Sequence, residues 1–338
     1  MAVKPLRAAV IGVGRIGSLH ADAYYRNPYT ELVAVMDADQ GRAQEVGARY
    51  GVNAYTSVDE LLQKETFDIV SIAVPEGQRS PLAAACAQAG KHLLLEKPLT
   101  PSLEETDRLI AAVEAAGVTA MVNFILRFDP RYIRAKEAVA DGTIGEPGTV
   151  FARRRGTAAG ADILGSWTDL LISTAIHDLD MMAWINGPAV RVYAEGFKKK
   201  DNRWGHEDGV MAVLRFANGC IGTLETSWIL PSTVPAGLDA SFHLVGTKGG
   251  VFIDGSNHGL SVVDQERYTE PDLTHWPVGP AGVFGDLRNS IDHFIDAVRT
   301  GQKPRVTLQD ARYAEELVAA VKQSMRTGQP VALPLSQG

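Results

Sequence analysis

Over the first 120 residues, short apolar runs alternate with longer segments of helical period. Apolar runs at 6–11, 31–36, 68–74, 91–95 and 118–122 have the length of buried strands. The segments 15–26, 40–50, 58–64, 80–89 and 102–116 read as helices between them. Strands that are apolar throughout, each followed by a helix, predict a parallel sheet with helices on both faces. Pro75 ends the third run, Gly90 stops the Ala-rich helix, and Glu104 and Glu105 suit a helix start after Thr100-Pro101-Ser102. After about residue 123 the pattern changes. A helix at 130–141, a strand at 149–155 and a helix at 167–185 precede β-like runs at 189–197, 208–216, 220–229, 239–246, 249–254 and 260–264. Asn218-Gly219 and Lys248-Gly249-Gly250 are hairpin-type turns, so this second sheet is expected to be mainly antiparallel. The stretch 265–285 is rich in Pro and Gly, and helices at 286–300 and 308–326 close the chain. The expected fold is therefore α/β, with domains at 1–122 and 123–338.

Glycines sharpen the first domain. Gly12-Val13-Gly14-Arg15-Ile16-Gly17 stands directly behind the first apolar run and opens the first helix, and Asp37 closes the next run. A glycine triplet alone says little; this strand–loop–helix–strand–acid context predicts dinucleotide binding. Gly12 permits the turn, Gly14 admits the pyrophosphate, and Gly17 lets helix and strand approach. The helix N-terminus offers N–H groups and a positive dipole end to the phosphates. Asp37 is placed to accept from the ribose hydroxyls and to repel a 2′-phosphate. Ala38, Asp39 and Gln40 bring no cation, so NAD is expected over NADP. A glycine turn with no dinucleotide is the competing reading.

Composition narrows the partners. Thirty-three Lys and Arg against 40 Asp and Glu give a net charge of −7, which argues against nucleic acid or an anionic membrane. Two cysteines, Cys86 and Cys220, have no metal-like spacing, so neither a structural metal nor a disulfide is expected. With no signal-type segment at Met1 to Arg7 and no long apolar run, the expected setting is the cytoplasm. The triplets Arg153-Arg154-Arg155 and Lys198-Lys199-Lys200 read as solvated positions, with one arginine of the first a candidate for the site.

Two further segments carry candidate chemistry. Glu96-Lys97-Pro98 lies at the carboxyl end of a buried strand, the edge at which parallel sheets bind ligands. His177 sits in an amphipathic segment with Asp180 three residues on. On these residues alone, a surface lysine and a satisfied core histidine are the favoured readings of the two positions.

In order and separation, Gly12-x-Gly14-x-x-Gly17, Glu96-Lys97-Pro98 and His177-x-x-Asp180 resemble the glucose-fructose oxidoreductase / inositol dehydrogenase family (Gfo/Idh/MocA). The resemblance covers nearly the whole chain, including Arg127-Phe128-Asp129-Pro130 and Gly246-Thr247-Lys248-Gly249-Gly250. It implies a Rossmann domain and an open-faced, mainly antiparallel α/β domain, with the nicotinamide between them. It implies oxidation of a secondary alcohol of a sugar or cyclitol, or the reverse. Lys97 would bond the reacting oxygen, with its pKa lowered by burial and the cofactor ring, and His177 would accept the proton. Arg15, Ile16 and Glu96 join the cofactor set. Lys97, Asn123, Arg127, Arg153, Ser173 and His177 form the substrate set. Asp178 and Asp180 are expected to bond backbone or sheet residues and Trp167 to be core; His275-Trp276, in the irregular stretch, is a candidate cover for the site against a structural default. Four positions depart from the family pattern: Ser173, where an aspartate is common one helical turn before the histidine; Ile125 and Leu126; and Arg79, where a histidine is frequent. An NAD-recycling hydrolase or lyase and a non-catalytic NAD-binding regulator are the alternatives. A homodimer or homotetramer is expected, because an open sheet face needs cover.

Overall fold

Leu6–Ile11 form β1, followed by α1 (Arg15–Arg26), β2 (Thr30–Met36), α2 (Gln40–Tyr50), β3 (Asn53–Tyr55), α3 (Val58–Lys64), β4 (Ile69–Ile72), α4 (Glu76–Gln88), β5 (His92–Leu95), α5 (Leu103–Ala116) and β6 (Ala120–Val122). This is a computed structural model, and it describes residues 4–256, 259–266 and 268–335. The six strands pair in parallel in the order β3-β2-β1-β4-β5-β6. The order reverses between β1 and β4, which makes a switch point at their carboxyl ends. Helices cover both faces, so the strand interiors are largely apolar: Val10, Ile11, Ile69, Val70, Ile72 and Leu93 to Leu95 are all 0% exposed. Each such aliphatic side chain contributes roughly 1.5–3 kcal/mol by leaving water. Asp39, Ser57 and Ser102 cap α2, α3 and α5 by accepting from the backbone N–H of Arg42, Glu60 and Glu105. The sequence reading missed β3, three residues with no apolar run, and started α4 too late; Pro81 is accommodated in its second turn.

The second sheet is built differently. α6 (Pro130–Ala140), β7 (Pro147–Thr157), α7 (Ala158–Leu164), α8 (Ile176–Asn186), β8 (Ala189–Phe197), β9 (Gly209–Phe216), β10 (Ile221–Leu230), β11 (Leu238–Gly246) and β12 (Gly250–Asp254) follow in order. The strands lie as β12-β11-β7-β10-β9-β8, completed by the short strand Val331–Ala332. Only β7 and β10 pair in parallel; the other neighbours are antiparallel, as expected. One face is covered and the other is not, so burial alternates. In β9, Val210, Ala212, Leu214 and Phe216 are buried, while Met211 is 62% and Val213 47% exposed. Gly219, at φ +91°, makes the turn between β9 and β10 that Asn218-Gly219 announces.

The helix expected at 167–185 requires correction. α7 occupies 158–164, and a π-helical turn, Leu171–Ala175, leads into α8. Asp169 starts that turn, its Oδ1 accepting from the N–H of Leu171 at 2.9 Å and Ile172 at 3.0 Å. Trp167 precedes this start and is 51% exposed rather than core. The run at 260–264 shortens to Val262–Val263.

Two helices close the chain, α9 (Gly285–Thr300) and α10 (Leu308–Thr327). The single boundary expected after residue 122 meets a more interleaved division. Residues through Phe128 form one compact unit with Thr274–Arg312, and Asp129–Leu273 form the other with the chain from Tyr313 onward. α9 thus belongs with the parallel sheet, because its buried stripe of Leu287, Ile291, Phe294 and Ile295 is core there.

Candidate active site

In the first unit the chemistry gathers at the carboxyl edge of the sheet. The glycine loop follows β1, and Gly12 adopts φ +82°. A Cβ on Gly12 would lie 2.6 Å from the Ala73 carbonyl oxygen, and one on Gly17 only 1.7 Å from that of Gly12. Both glycines are therefore required by the protein itself. Gly14 differs: a Cβ there meets nothing within 4 Å. Its bareness serves no neighbour in the protein and suits a group that approaches from outside. Gly14 is also the N-cap of α1 and offers no side chain, so the first N–H groups of that helix are left for an anion. These features fit a dinucleotide pyrophosphate. Of the other expected cofactor residues, Arg15 is exposed with its guanidinium 6.0 Å from the Trp276 ring centre, and Ile16 is half-buried.

Asp37 follows β2 and is 7% exposed. Its Oδ2 accepts from the Val13 N–H at 2.9 Å and its Oδ1 from the Asp39 N–H at 2.9 Å, which ties it to the glycine loop. The Arg42 guanidinium lies 3.2 Å from Oδ2. The sequence reading looked only at the three residues after Asp37 and missed this cation, which the first turn of α2 swings back over the carboxylate.

Glu96 and Lys97 follow β5, and Asn123 follows β6. Glu96 is the hub. Its Oε1 accepts from Asn123 Nδ2 at 2.6 Å and lies 3.3 Å from His20 Nε2, while the Lys97 N–H points to its Oε2 at 3.3 Å. Burial pushes the Glu96 carboxyl upward, but the contacts with His20 and Asn123 and the positive charge of Lys97 outweigh it and hold the group below its ordinary value. Asn123, expected against substrate, instead braces Glu96, and its Oδ1 accepts from Ser290 of α9 at 2.6 Å. Lys97 is half-buried. Arg79 braces the same region, donating to the backbone oxygens of Val74 and Leu99. Arg127 is buried (3% exposed), with its guanidinium 3.3 Å from Asp310 and its backbone oxygen accepting from Arg305 at 3.0 Å. Those contacts are structural. His275 Nδ1 lies 3.3 Å from Thr274 Oγ1.

In the second unit, His177 is half-buried on α8, beside a buried ion pair. Asp178 is 0% exposed and takes a two-pronged contact from Arg154 of β7, Nε to Oδ2 at 2.8 Å and Nη2 to Oδ1 at 3.1 Å. Asp180 is buried too. Asp178 thus bonds a sheet residue, as expected. Of the arginine triplet, it is Arg154 that faces α8. Arg153, expected in the substrate set, points to the other face of β7 and donates to Asp239 at 2.8 Å. The structure does not bring it to the His177 side. Arg155 shares that outer face and contacts Glu225 and Asp239. Ser173 lies inside the π turn, four residues before His177, so the two are not joined by a regular α-helical turn. Its neighbour Thr174 accepts from Trp228 Nε1 at 2.9 Å, which pins the turn to β10.

Comparison with known proteins identifies the family of both parts of the chain. Residues 6–124 match the profile of the oxidoreductase family, NAD-binding Rossmann fold, and residues 136–333 that of the oxidoreductase family, C-terminal alpha/beta domain. The chain is 31% identical over 340 residues to the myo-inositol 2-dehydrogenase of Thermotoga maritima, covering 97% of this chain and 98% of that protein. It is 30% identical to the scyllo-inositol 2-dehydrogenase (NAD(+)) of Bacillus subtilis, covering 98% and 97%. The crystal structure of a myo-inositol dehydrogenase from Corynebacterium glutamicum superposes with a TM-score of 0.83 at 25% identity, covering 98% of this chain and all of that one.

Proposed function

This chain belongs to the Gfo/Idh/MocA oxidoreductase family, and from that premise we propose that it oxidises a secondary hydroxyl of a cyclitol or sugar with NAD as acceptor. One observation carries the reading. The glycine loop, Asp37, Glu96-Lys97 and Asn123 come from four strands of one parallel sheet and meet at its carboxyl edge. NAD, when bound, supplies the hydride acceptor. The residues supply position and proton transfer. Gly14 and the bare N-terminus of α1 hold the pyrophosphate, and Asp37 holds the adenosine ribose. Lys97 bonds the reacting oxygen, and His177 takes the proton released as the carbonyl forms.

NAD is favoured because both Asp37 oxygens already accept backbone N–H groups, which fixes the carboxylate where a 2′-phosphate would be repelled. Arg42 is a feature in favour of NADP, and its pairing with Asp37 occupies it. The substrate is a small polyol; the relatives named above are inositol dehydrogenases. The uncovered sheet face, with Met211, Val213 and Phe252 exposed, is read as the contact with a second copy in a homodimer or homotetramer. A cytoplasmic setting suits the two free cysteines, Cys86 and Cys220.

The test is NADH formation at 340 nm with NAD or NADP and a panel of inositols, aldoses and anhydrosugars. A rate with NAD on one of these compounds is the expected result. A flat panel with NAD binding intact overturns the dehydrogenase reading and favours transient oxidation or a regulator. Light scattering on the same preparation should give a mass of two or four chains.

A further inference from the structure

Asp37 is already fully bonded within the protein, and that bears on how it can take a ribose. An ionised carboxylate offers about four lone-pair positions. The Val13 N–H reaches Oδ2 and the Asp39 N–H reaches Oδ1, each at 2.9 Å. Arg42 Nη1 donates to both oxygens, at 3.2 Å to Oδ2 and 3.3 Å to Oδ1. These contacts fill the carboxylate. Ribose hydroxyls can therefore bond Asp37 only by displacing one of the donors. The two backbone donors are fixed, since Val13 belongs to the glycine loop and Asp39 caps α2. Arg42 is the donor that can leave. Its side chain is 47% exposed, and its Nη2 makes only a long approach, 3.5 Å, to Asp39 Oδ2. It stands in the first turn of α2, so a guanidinium released from Asp37 stays within a side chain's length of it. Arg42 is also the cation set between two carboxylates, Asp37 and Asp39. Charges this close interact well inside the screening length of about 8–10 Å.

We propose that Arg42 is a specificity-determining residue at the adenosine end of the site: it yields Asp37 to the ribose of NAD, and it narrows the discrimination against NADP by offering its guanidinium to a 2′-phosphate. The planar fork of a guanidinium matches carboxylate and phosphate alike, so the same group can serve either partner. NAD remains preferred because two carboxylates stand against one cation. Without Arg42 a 2′-phosphate would meet Asp37 and Asp39 with no counter-charge between them. NAD, which carries no such phosphate, would instead find Asp37 with one competitor fewer. This deepens the proposed function, since it rests on Asp37 as the ribose ligand, and it moves part of the NAD-over-NADP choice onto a side chain five residues further along.

The test reads binding, without turnover. Isothermal titration of the intact protein with NAD and with NADP gives both dissociation constants in the absence of substrate. In Arg42→Ala, NADP should weaken about tenfold, the loss of one charge-assisted contact, while NAD binds as tightly as in wild type or a few-fold tighter. Asp37→Asn removes the competing charge and frees Arg42, so NADP should tighten about tenfold. That gain should vanish in the double variant Asp37→Asn/Arg42→Ala. An unchanged ratio of the two constants in Arg42→Ala overturns the proposal, as does an NADP gain that persists in the double variant. A tenfold weakening of NAD in Arg42→Ala overturns it too, because Arg42 would then be a ligand of NAD and not its competitor. Arg42 is exposed, so Arg42→Ala carries the test if Asp37→Asn does not fold. A flat substrate panel with these shifts intact would sink the dehydrogenase reading alone.

Discussion

The sheet of the first unit is covered on both faces, whereas that of the second is covered on one, and their charged residues are distributed accordingly. In the parallel sheet the strand interiors hold no charged side chain: Arg7, Glu31 and His92 stand at strand starts, and Asp37, Glu96 and Lys97 just past strand ends. Their location follows from topology alone. In the second sheet, neighbouring residues of one strand go to opposite fates: Arg154 is buried against Asp178 of α8, and Arg153 and Arg155 pair with Asp239 and Glu225 on the open face. A charge in the first unit is thus read by where its strand ends, and a charge in the second by which side of the strand it leaves.

The sharpest way to break this comparison is at Lys97. If the strand-end charges do the chemistry, Lys97→Ala should lower kcat by 10²–10⁴-fold, roughly the contribution of one acid–base group. The affinity for NAD, measured by fluorescence titration, should stay within about twofold. A large loss of NAD affinity with kcat preserved would instead make Lys97 a binding residue. In the second unit the matching residue is Asp178. Its removal leaves Arg154 as a buried, uncompensated cation, so Asp178→Ala should cost about 3–5 kcal/mol in urea unfolding. A loss under 1 kcal/mol would mean that water reaches Arg154 and that the pair is not a structural anchor.

The glycine loop tests the same division on a smaller scale. Gly14→Ala places a Cβ in open space, so the unfolding midpoint should hold while NAD binding weakens. Gly17→Ala drives its Cβ into the Gly12 carbonyl and should destabilise the unit with or without cofactor. Equal effects of the two on stability would show that Gly14 is bare for packing reasons rather than for the pyrophosphate.

Much of the first unit was legible because buried parallel strands write themselves as apolar runs. β1, α1, α2 and α3 have the bounds their patterns predict. Polar residues whose partners are distant in sequence were not legible. His20 reads as one more position on the inner face of α1, beside Ala21 and Tyr24, and only the fold brings Ser71 and Glu96 to it. Asn123 was singled out, but for the substrate, because nothing in its neighbours announces Glu96. Arg42 could have been found by counting one turn into α2. In the second unit the alternation of β8 to β12 was clear and the helix before them was not. A π turn has no apolar period of its own, and Asp169, its cap, is ordinary in composition.

That misreading bears on the smallest effect expected, at Ser173. The case for an aspartate there assumes a regular helix, in which residues four apart share a face. The π turn at Leu171–Ala175 replaces that regular geometry between positions 173 and 177, and Trp228 holds the turn in place through Thr174. A carboxylate at 173 is therefore not automatically a partner for the imidazole. Ser173→Asp should change kcat/KM on inositols by less than about tenfold, since an exposed or misaligned carboxylate adds under roughly 1 kcal/mol. It should leave the pH dependence of kcat unmoved. A larger gain, with the basic limb of the profile shifted toward higher pH, would show that the turn relaxes to α-helical geometry during catalysis and returns position 173 to His177. The second unit would then also set its chemistry by register, as the first does by strand ends.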